Sequence, residues 1–558
     1  MRIVTVEEMR ALEAAADHNG YSYAKMMEVA GRAIADQIKA RMPDKQDTRV
    51  LFLIGAGNNG GDGLVAGRIL KEETLMTVGF LLLKKRDDEN FHKVKALQVP
   101  IIDFWNDPVN LDHLATRTVV KMADVIVDSL LGTGFKLPLR DDVALLLKRV
   151  KQGIAERESM VEFKGKPARI LAVDLPSGMD ADTGQIAPET LTADLTVTFE
   201  ASKPGHWTYP GAGHCGTVIV APLELPSDIP QPQMQQVETA DSIRPLLPRR
   251  AIDANKYSFG KALIVAGSGQ YVGAAALAAE SAYRVGAGLV TVATPQINVP
   301  LLAPKILEAT WLPLSHENGA VDESAADVVW EKFASYTAAL IGSGFGTAEA
   351  TAAFMDVLFP APDGTDPLPT TYPDPPLIPS SAPTKKDAEI TPPPLVIDAD
   401  GLNLLAKVKD WWNRLPARTV LTPHSGEMSR LCGIDSKEVQ ANRYLLAREK
   451  AKAWNCVVVL KGANTIIADP DGRTAVIPVA TPALARAGTG DVLAGAVCGY
   501  LAQGLDPFDA ARVACYVHGS AGLLAAERIG TTASVLATDV LHSLLQAIQQ
   551  LEKHGESA

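Results

Sequence analysis

Two series of short, almost unbroken apolar runs, each run followed by a segment of helical period, constrain the fold of this chain more than any other feature. The first series reads RVLFLIGAG, TVGFLLL, ADVIVDSLLGTG, ARILAVDLPSG and ADLTVTF. The second reads KALIVAGSG, GLVTVATP, AALIGSGFG, PLVIDADGLNLL, TVLTPHSGE and CVVVLKGANTIIADPDG. A strand with one wet face alternates apolar and polar residues. These runs do not alternate, so both faces must be covered, and the intervening helices cover them in a parallel sheet. Between the series lies APLELPSDIPQPQMQQVETADSIRPLLPRR, rich in proline and polar residues, which marks a domain boundary. At 558 residues the chain is long enough for two cores. The expectation is α/β: two three-layer αβα domains over residues 1–225 and 251–558, joined by a linker at 226–250. Residues 360–394 are dense in proline, lack a hydrophobic period, and are expected to be a flexible surface insertion in the second domain.

The formal charge of −12 excludes a general nucleic-acid or membrane-surface binder. Cys215, Cys432, Cys456, Cys498 and Cys515 are widely spaced, form no C-x-x-C pair and read as free thiols in a reducing compartment. The start of the chain has acids where a signal peptide would have an apolar run. It reads instead as a helix capped by Thr5, with Glu8 completing a capping box. No apolar run approaches the ~18 residues needed to span a bilayer. A cytoplasmic enzyme without nucleic-acid or membrane partners is expected.

Three strands of the first half end in loops with chemical content. LFLI runs into GAGNNGGDG, VIV into DSLLGTG beginning at Asp128, and ILAV into DLPSG beginning at Asp174. Ligands of open parallel sheets bind outside the carboxyl ends of strands, so the three loops belong on one edge. The glycines let backbone amides approach an anion at a helix mouth. Asn58, Asn59, Asp128 and Ser177 supply neutral and anionic oxygens that suit a hard, weakly charged cation better than zinc. Taken singly, Asn before Gly is also a common turn, and Asp after a strand a common helix cap.

In the second half, ARAGTGDVLAGAVCGYL places Gly488, Thr489 and Gly490 before a long helix and Asp491 in its first turn. Amides of this stretch would converge on one spot, reinforced by the helix dipole, and could stabilise a transferring phosphoryl group. A carboxylate beside that hole can take a proton from an attacking hydroxyl, typically worth about 10²–10⁴-fold. The alternative role for Asp491 is service to the dipole alone, about 0.3–1 kcal/mol, which leaves the flanking glycines unexplained. There is no G-x-x-x-x-G-K-[ST], so this is not a P-loop enzyme.

GAGNNGGDG, VDSLLGTG and VDLPSGMDADTG together resemble the NAD(P)H-hydrate epimerase family over about residues 5–220. The resemblance implies a Rossmann-like fold. It implies that Asn58, Asn59, Gly60, Gly61, Asp62, Gly132, Thr133, Gly134, Phe135, Lys136, Leu137, Pro138 and Asp174 contact the hydrated nucleotide. It also implies a potassium ion held by Asn59, Asp128 and Ser177. The pieces YVGAAALAAESAYRVGAGLVTV, GSGFG, VIDADGLNLL, LTPHSGEMSRL, VVLKGANTIIADPDG and AGTGDVLAG resemble the ribokinase-like ADP- or ATP-dependent NAD(P)H-hydrate dehydratases. That resemblance implies adenine-nucleotide contacts from Lys461, Gly462, Ala463, Asn464, Thr465 and Gly490, and hydrated-cofactor contacts from Ala274, Gly344, His424 and Asp491. Ala487 stands where the family often has a second glycine, and His424 could equally be a structural histidine.

The chemistry so implied repairs a damaged cofactor. The first domain would interconvert the two epimers of the hydrated ring, with Asp128 or Asp174 assisting. The second would phosphorylate the ring hydroxyl of the S epimer from ADP, with magnesium on the phosphates, and release phosphate, AMP and the intact dihydronicotinamide. Hydrated NADH or NADPH and ADP are the expected small-molecule partners, and an assembly of identical chains is expected. The alternative is a vitamin or thiazole kinase using the same GTGD device, carrying a non-catalytic nucleotide-binding module in front.

Overall fold

The computed structural model describes residues 1–106, 113–230, 232, 234–360 and 391–553. Most of the 360–394 stretch therefore lies outside the described residues. The chain divides into two compact units, Met1–Gln235 and Gln236–Ala558.

The first unit opens with two helices, α1 (Val6–His18) and α2 (Tyr23–Lys39). Thr5 caps α1 and Glu8 closes the capping box, as its T-x-x-E spacing predicts. A seven-stranded sheet follows: β1 (Arg49–Ile54), β2 (Thr77–Leu82), β3 (Ile101–Asp103), β4 (Val125–Ser129), β5 (Arg169–Val173), β6 (Leu195–Phe199) and β7 (Thr217–Ala221). Their spatial order is β3-β2-β1-β4-β5-β6-β7, and every pairing is parallel. Val50–Ile54 of β1 and all of β4 are buried, which is why those runs carry no polar alternation. The order reverses direction between β1 and β4, the switch point at which α/β sheets bind ligands. The three informative loops leave β1, β4 and β5, which are adjacent and parallel, so they share one edge of the sheet.

The second unit is built on a ten-stranded sheet: β8 (Gln235–Val237), β9 (Lys261–Val265), β10 (Leu289–Pro295), β11 (Thr310–Leu314), and, after a short hairpin of β12 (His316–Glu317) and β13 (Ala320–Val321), β14 (Ala338–Ile341), β15 (Leu395–Ile397), β16 (Val420–Leu421), β17 (Val457–Leu460), β18 (Thr465–Ala468) and β19 (Thr474–Ile477). The order is β11-β10-β9-β14-β15-β16-β17-β18-β19-β8. Pairing is parallel from β11 to β17 and antiparallel through β17, β18 and β19. The 226–250 stretch, expected as a linker, carries structure in its later part. Gln235–Val237 joins the sheet edge, and Glu238 is fully buried against Arg512, Nε to Oε1 2.7 Å.

The helix Thr489–Ala502, whose first turn holds Asp491, is fixed by close packing on the helix Val272–Arg284. A Cβ at Gly495 would lie 2.1 Å from the Ala278 carbonyl oxygen, so only glycine allows that approach. Ser281 Oγ donates to the Val492 carbonyl across the same contact at 2.6 Å. All five cysteines are free. Among the described residues no helix is long and apolar enough to cross a membrane.

Candidate functional sites in the two units

A cavity of about 740 Å³ opens at the switch-point edge of the first sheet. Of the residues named from the sequence, Asn58, Asn59, Asp62, Gly132, Thr133, Gly134, Phe135, Lys136, Pro138 and Asp174 line it. Gly60, Gly61 and Leu137 are not among the lining residues. The helix α3 (Asn58–Glu73) begins at the cavity with no side-chain cap, so its first amides are available to a ligand. Arg86 braces the loop before it, donating from Nη1 to the carbonyls of Gly55 at 2.6 Å and Gly57 at 3.0 Å.

Asp174, at the tip of β5, adopts a left-handed backbone with φ +64°. Its Oδ1 accepts from Lys203 Nζ and from Thr198 Oγ1, both at 2.8 Å. Burial pushes this carboxyl up, but the Lys203 ammonium and the hydrogen bonds outweigh burial and hold it below the ordinary carboxylate range. His206 Nε2 donates to the Asp174 carbonyl at 2.8 Å while its Nδ1 accepts from the Lys203 amide at 3.0 Å, and burial, then Lys203, depresses its imidazole to about 4.

Asp128 lies beneath the cavity, fully buried. Ser177 gives it two hydrogen bonds, Oγ to Oδ1 at 2.6 Å and backbone N to Oδ2 at 2.8 Å. Asn59 Nδ2 donates to the Leu131 carbonyl at 2.9 Å, and the Leu131 amide donates to Ser177 Oγ at 3.0 Å. Asn59, Asp128 and Ser177 thus form one connected cluster. Burial raises the Asp128 carboxyl, and the hydrogen bonds that oppose the rise come from neutral groups. A buried carboxylate with neutral partners and amide and hydroxyl oxygens beside it fits a weakly charged cation.

In the second unit, the loops after β14, β15, β16 and β17 converge with the mouth of the helix Thr489–Ala502. Gly344, at φ +66°, lets the chain pass so close to Ala274 that a Cβ would sit 2.6 Å from the alanine methyl, which brings those two predicted residues together. Lys461 Nζ lies 2.8 Å from Asp398 Oδ1 and 3.8 Å from Glu427 Oε2. A Cβ at Gly490 would be 3.6 Å from the same ammonium, so the KGANT and GTGD segments meet there. Asp398 also accepts from Thr422 Oγ1 at 2.6 Å and from Ser343 Oγ at 3.3 Å. Asp491 is half-buried. Burial and then Asp398 push its carboxyl up to about 6, against the opposing pull of Lys461 and a hydrogen bond with Ser343. Burial similarly lifts Glu427 to about 7.

His424 is exposed rather than buried and caps the helix Ser425–Cys432. Its Nδ1 accepts from the amides of Gly426 at 3.0 Å and Glu427 at 3.2 Å. That tautomer puts the proton on Nε2, and the partial desolvation of the ring, followed by Lys461 and Arg430, keeps its pKa below the ordinary value. Gly462–Thr465 form the turn into β18, with Thr465 Oγ1 donating to the Gly462 carbonyl at 3.1 Å. Among the described residues no group of three or more His, Cys, Asp or Glu side chains is arranged to hold a metal ion.

Sequence reasoning missed Glu13, Arg10 and Lys203 in the first unit, and Ser343, Asp398 and Glu427 in the second. Lys203 stands in the loop after β6, where no aspartate marks the strand tip. Asp398 closes the run VID, the same strand-tip position that singled out Asp128 and Asp174.

Residues 262–367 and 376–546 match a family model described as NAD(P)H-hydrate dehydratase, and residues 23–205 match one described as YjeF-related protein N-terminus. A protein of Moorella thermoacetica is 33% identical over 569 residues, which cover 100% of this chain and 98% of that one. A protein of Salinibacter ruber is 34% identical, covering 95% and 92%. Both are named bifunctional NAD(P)H-hydrate repair enzyme Nnr. A solved ADP/ATP-dependent NAD(P)H-hydrate dehydratase of Bacillus subtilis, co-crystallised with ATP/Mg2+, is 29% identical, covers 57% of this chain and 99% of its own, and has a TM-score of 0.44.

Proposed function

The chain belongs to the bifunctional NAD(P)H-hydrate repair enzymes, and on that footing we propose that residues 1–225 interconvert the R and S forms of hydrated NADH and NADPH while residues 251–558 dehydrate the S form at the expense of ADP. The observation that carries the second assignment is Asp491: a half-buried carboxylate at an amide-rich helix mouth, lifted to about 6 and flanked by the Lys461 ammonium. Asp491 takes the proton from the ring hydroxyl as that oxygen attacks the β-phosphoryl group of ADP, and AMP leaves. The amides of Gly488–Asp491 steady the transferring group. Hydroxide is a poor leaving group and phosphate a good one. The C–O bond then breaks, a proton leaves the neighbouring ring carbon, and the dihydronicotinamide is restored.

Lys461, Gly462, Ala463, Asn464, Thr465 and Gly490 hold the nucleotide, which arrives with magnesium on its phosphates. Ala274, Gly344 and His424 face the damaged ring. In the first unit the cavity residues named from the sequence bind the hydrated nucleotide. Asn59, Asp128 and Ser177 would hold potassium, which would compensate the buried Asp128 charge. We infer a cytoplasmic setting and an assembly of identical chains.

The reading is tested with hydrated NADPH. Recovery of reduced-ring absorbance should track consumption of ADP and release of inorganic phosphate one for one, and the epimer ratio should relax faster in potassium than in lithium salts. A stable phosphorylated product would instead favour a vitamin or thiazole kinase. That alternative has less support, because the relatives named as repair enzymes match over nearly the whole chain.

A further inference from the structure

Inverting the hydroxyl-bearing ring carbon by loss and return of water needs two proton transfers on opposite faces of the ring. One proton goes to the departing hydroxyl, and one comes off the water that arrives. Three carboxylates line the first-unit cavity: Glu13 from α1, Asp62 from α3 and Asp174 from the tip of β5. Asp174 is bound to Lys203 and held ionised. Asp128 is not among the lining residues, and Ser177 donates to both of its oxygens. Neither acid that strand-tip position suggests is therefore free to trade a proton.

Glu13 and Asp62 are. Both are half-buried, they enter from different walls, and neither side chain has a hydrogen-bond or ion-pair partner among the described residues. Burial raises Asp62 well above the carboxylate range, with Asp174 and Glu13 adding to the rise and Arg86 opposing it. Burial also raises Glu13, against Lys203 and Arg10 and with Asp174 adding. Like charges this coupled favour a state in which one carboxyl keeps its proton while the other is ionised.

We propose that Glu13 and Asp62 are the paired acid and base of the isomerase, one on each side of the hydrated ring. The protonated member gives its proton to the ring hydroxyl. The C–O bond breaks with its electrons going to oxygen, water leaves, and the ring nitrogen's lone pair forms a C=N bond. A second water adds from the opposite face, the C=N electrons return to nitrogen, and the ionised member takes the released proton. One water departs, one arrives, and the proton has crossed from one carboxyl to the other, which readies the pair for the reverse direction. At that stage both Glu13 and Asp62 are ionised, and their charges offset the transient positive charge of the ring.

The inference rests on the isomerase reading of the first unit, and the test separates the two. Full-length protein converts one epimer of hydrated NADPH in ¹⁸O-water, and each inverted centre should carry one solvent oxygen. Inversion with the original oxygen retained, as opening of the ring carbon–nitrogen bond would give, overturns the pair. The rate should be bell-shaped in pH, because one member must be protonated and the other ionised. Arg10, Tyr23, Arg86, Lys136, Arg140, Asp174 and Lys203 are the other titratable or charged groups around them. Glu13→Gln and Asp62→Asn should each lower the rate by about 10²-fold or more and leave a single-limbed profile, while Glu13→Asp and Asp62→Glu restore part of it. Variants within about fivefold of the parent, with both limbs unchanged, overturn the pair. A parent chain that fails to interconvert the epimers at any pH strikes instead the activity assigned to the unit.

Discussion

Asp174 and Asp491 occupy comparable places, each at an amide-rich helix mouth at one edge of a largely parallel sheet, and each near one lysine. Their surroundings differ in which acid the lysine bonds directly. Lys203 hydrogen-bonds Asp174 and acts on Glu13 only through space, so the Asp174 carboxyl stays below its ordinary range. Lys461 bonds Asp398 and also faces Glu427 and Asp491, and one ammonium does not neutralise three acids. Glu427 rises to about 7 and Asp491 to about 6. Glycine loops decide where an acid stands, while a cation bonded directly to it decides whether it holds a charge or trades protons.

The largest expected effect breaks the first side of that comparison. Lys203→Met removes the partner of a buried carboxylate and should destabilise the first unit by about 3–5 kcal/mol, read from denaturant unfolding. Because Asp174 is held low, the stability it contributes is present at neutral pH and lost as pH falls through its folded value. The variant should therefore lose that acid-dependent slope as well. An unfolding midpoint unchanged at pH 7 would remove Lys203 as the reason Asp174 is ionised.

Next in size, Asp491→Asn should lower dehydration by about 10²-fold or more and leave epimer interconversion intact, measured on the same full-length preparation. Retained dehydration refutes the base assignment. In the parent chain the dehydration rate should be level above about pH 6 and fall roughly tenfold per unit below it, since the base must be ionised to act. A rate that rises on acidification would mean that the essential form of Asp491 is the protonated one.

Much of this arrangement was legible in the sequence because it rests on local rules. Unalternated apolar runs gave the two sheets, T-x-x-E gave the start of α1, and an aspartate at the end of an apolar run marked Asp128 and Asp174. The strands that escaped notice are the β12–β13 hairpin and β3, β7, β8, β11 and β19, which lie at or next to sheet edges, where β3, β7 and β11 are only partly buried and the unbroken apolar signal weakens. The site residues that escaped are those whose meaning is set by a distant partner. Glu13 sits in the middle of an ordinary amphipathic helix, and only the cavity reveals what it faces. Glu238 sits in a proline-rich stretch and pairs with Arg512, far away in sequence. Asp128 shows the converse: its strand-tip position was readable, but the loop that seals it beneath Ser177, out of the cavity lining, was not.

The smallest expected effect sharpens the other side of the comparison. Asp491 has a folded pKa of about 6 against an ordinary 3.8, so the folded unit binds that proton more tightly than the unfolded chain does. Its contribution to stability is fully present below the ordinary value and is lost as pH rises through about 6. At neutral pH the carboxylate is a net liability to the fold, tolerated because the chemistry needs it there. Asp491→Asn should then stabilise the second unit at pH 7 by about 1 kcal/mol, a figure discounted for the partial exposure of the group. The gain should vanish near pH 4, where the parent carboxyl is protonated in the folded state. The second unit's transition can be picked out by its shift with added ADP, which binds only the folded form. A variant less stable than the parent at both pH values would mean that Asp491 is held by its Ser343 and Lys461 contacts more strongly than burial penalises it, and the contrast with Asp174 would disappear.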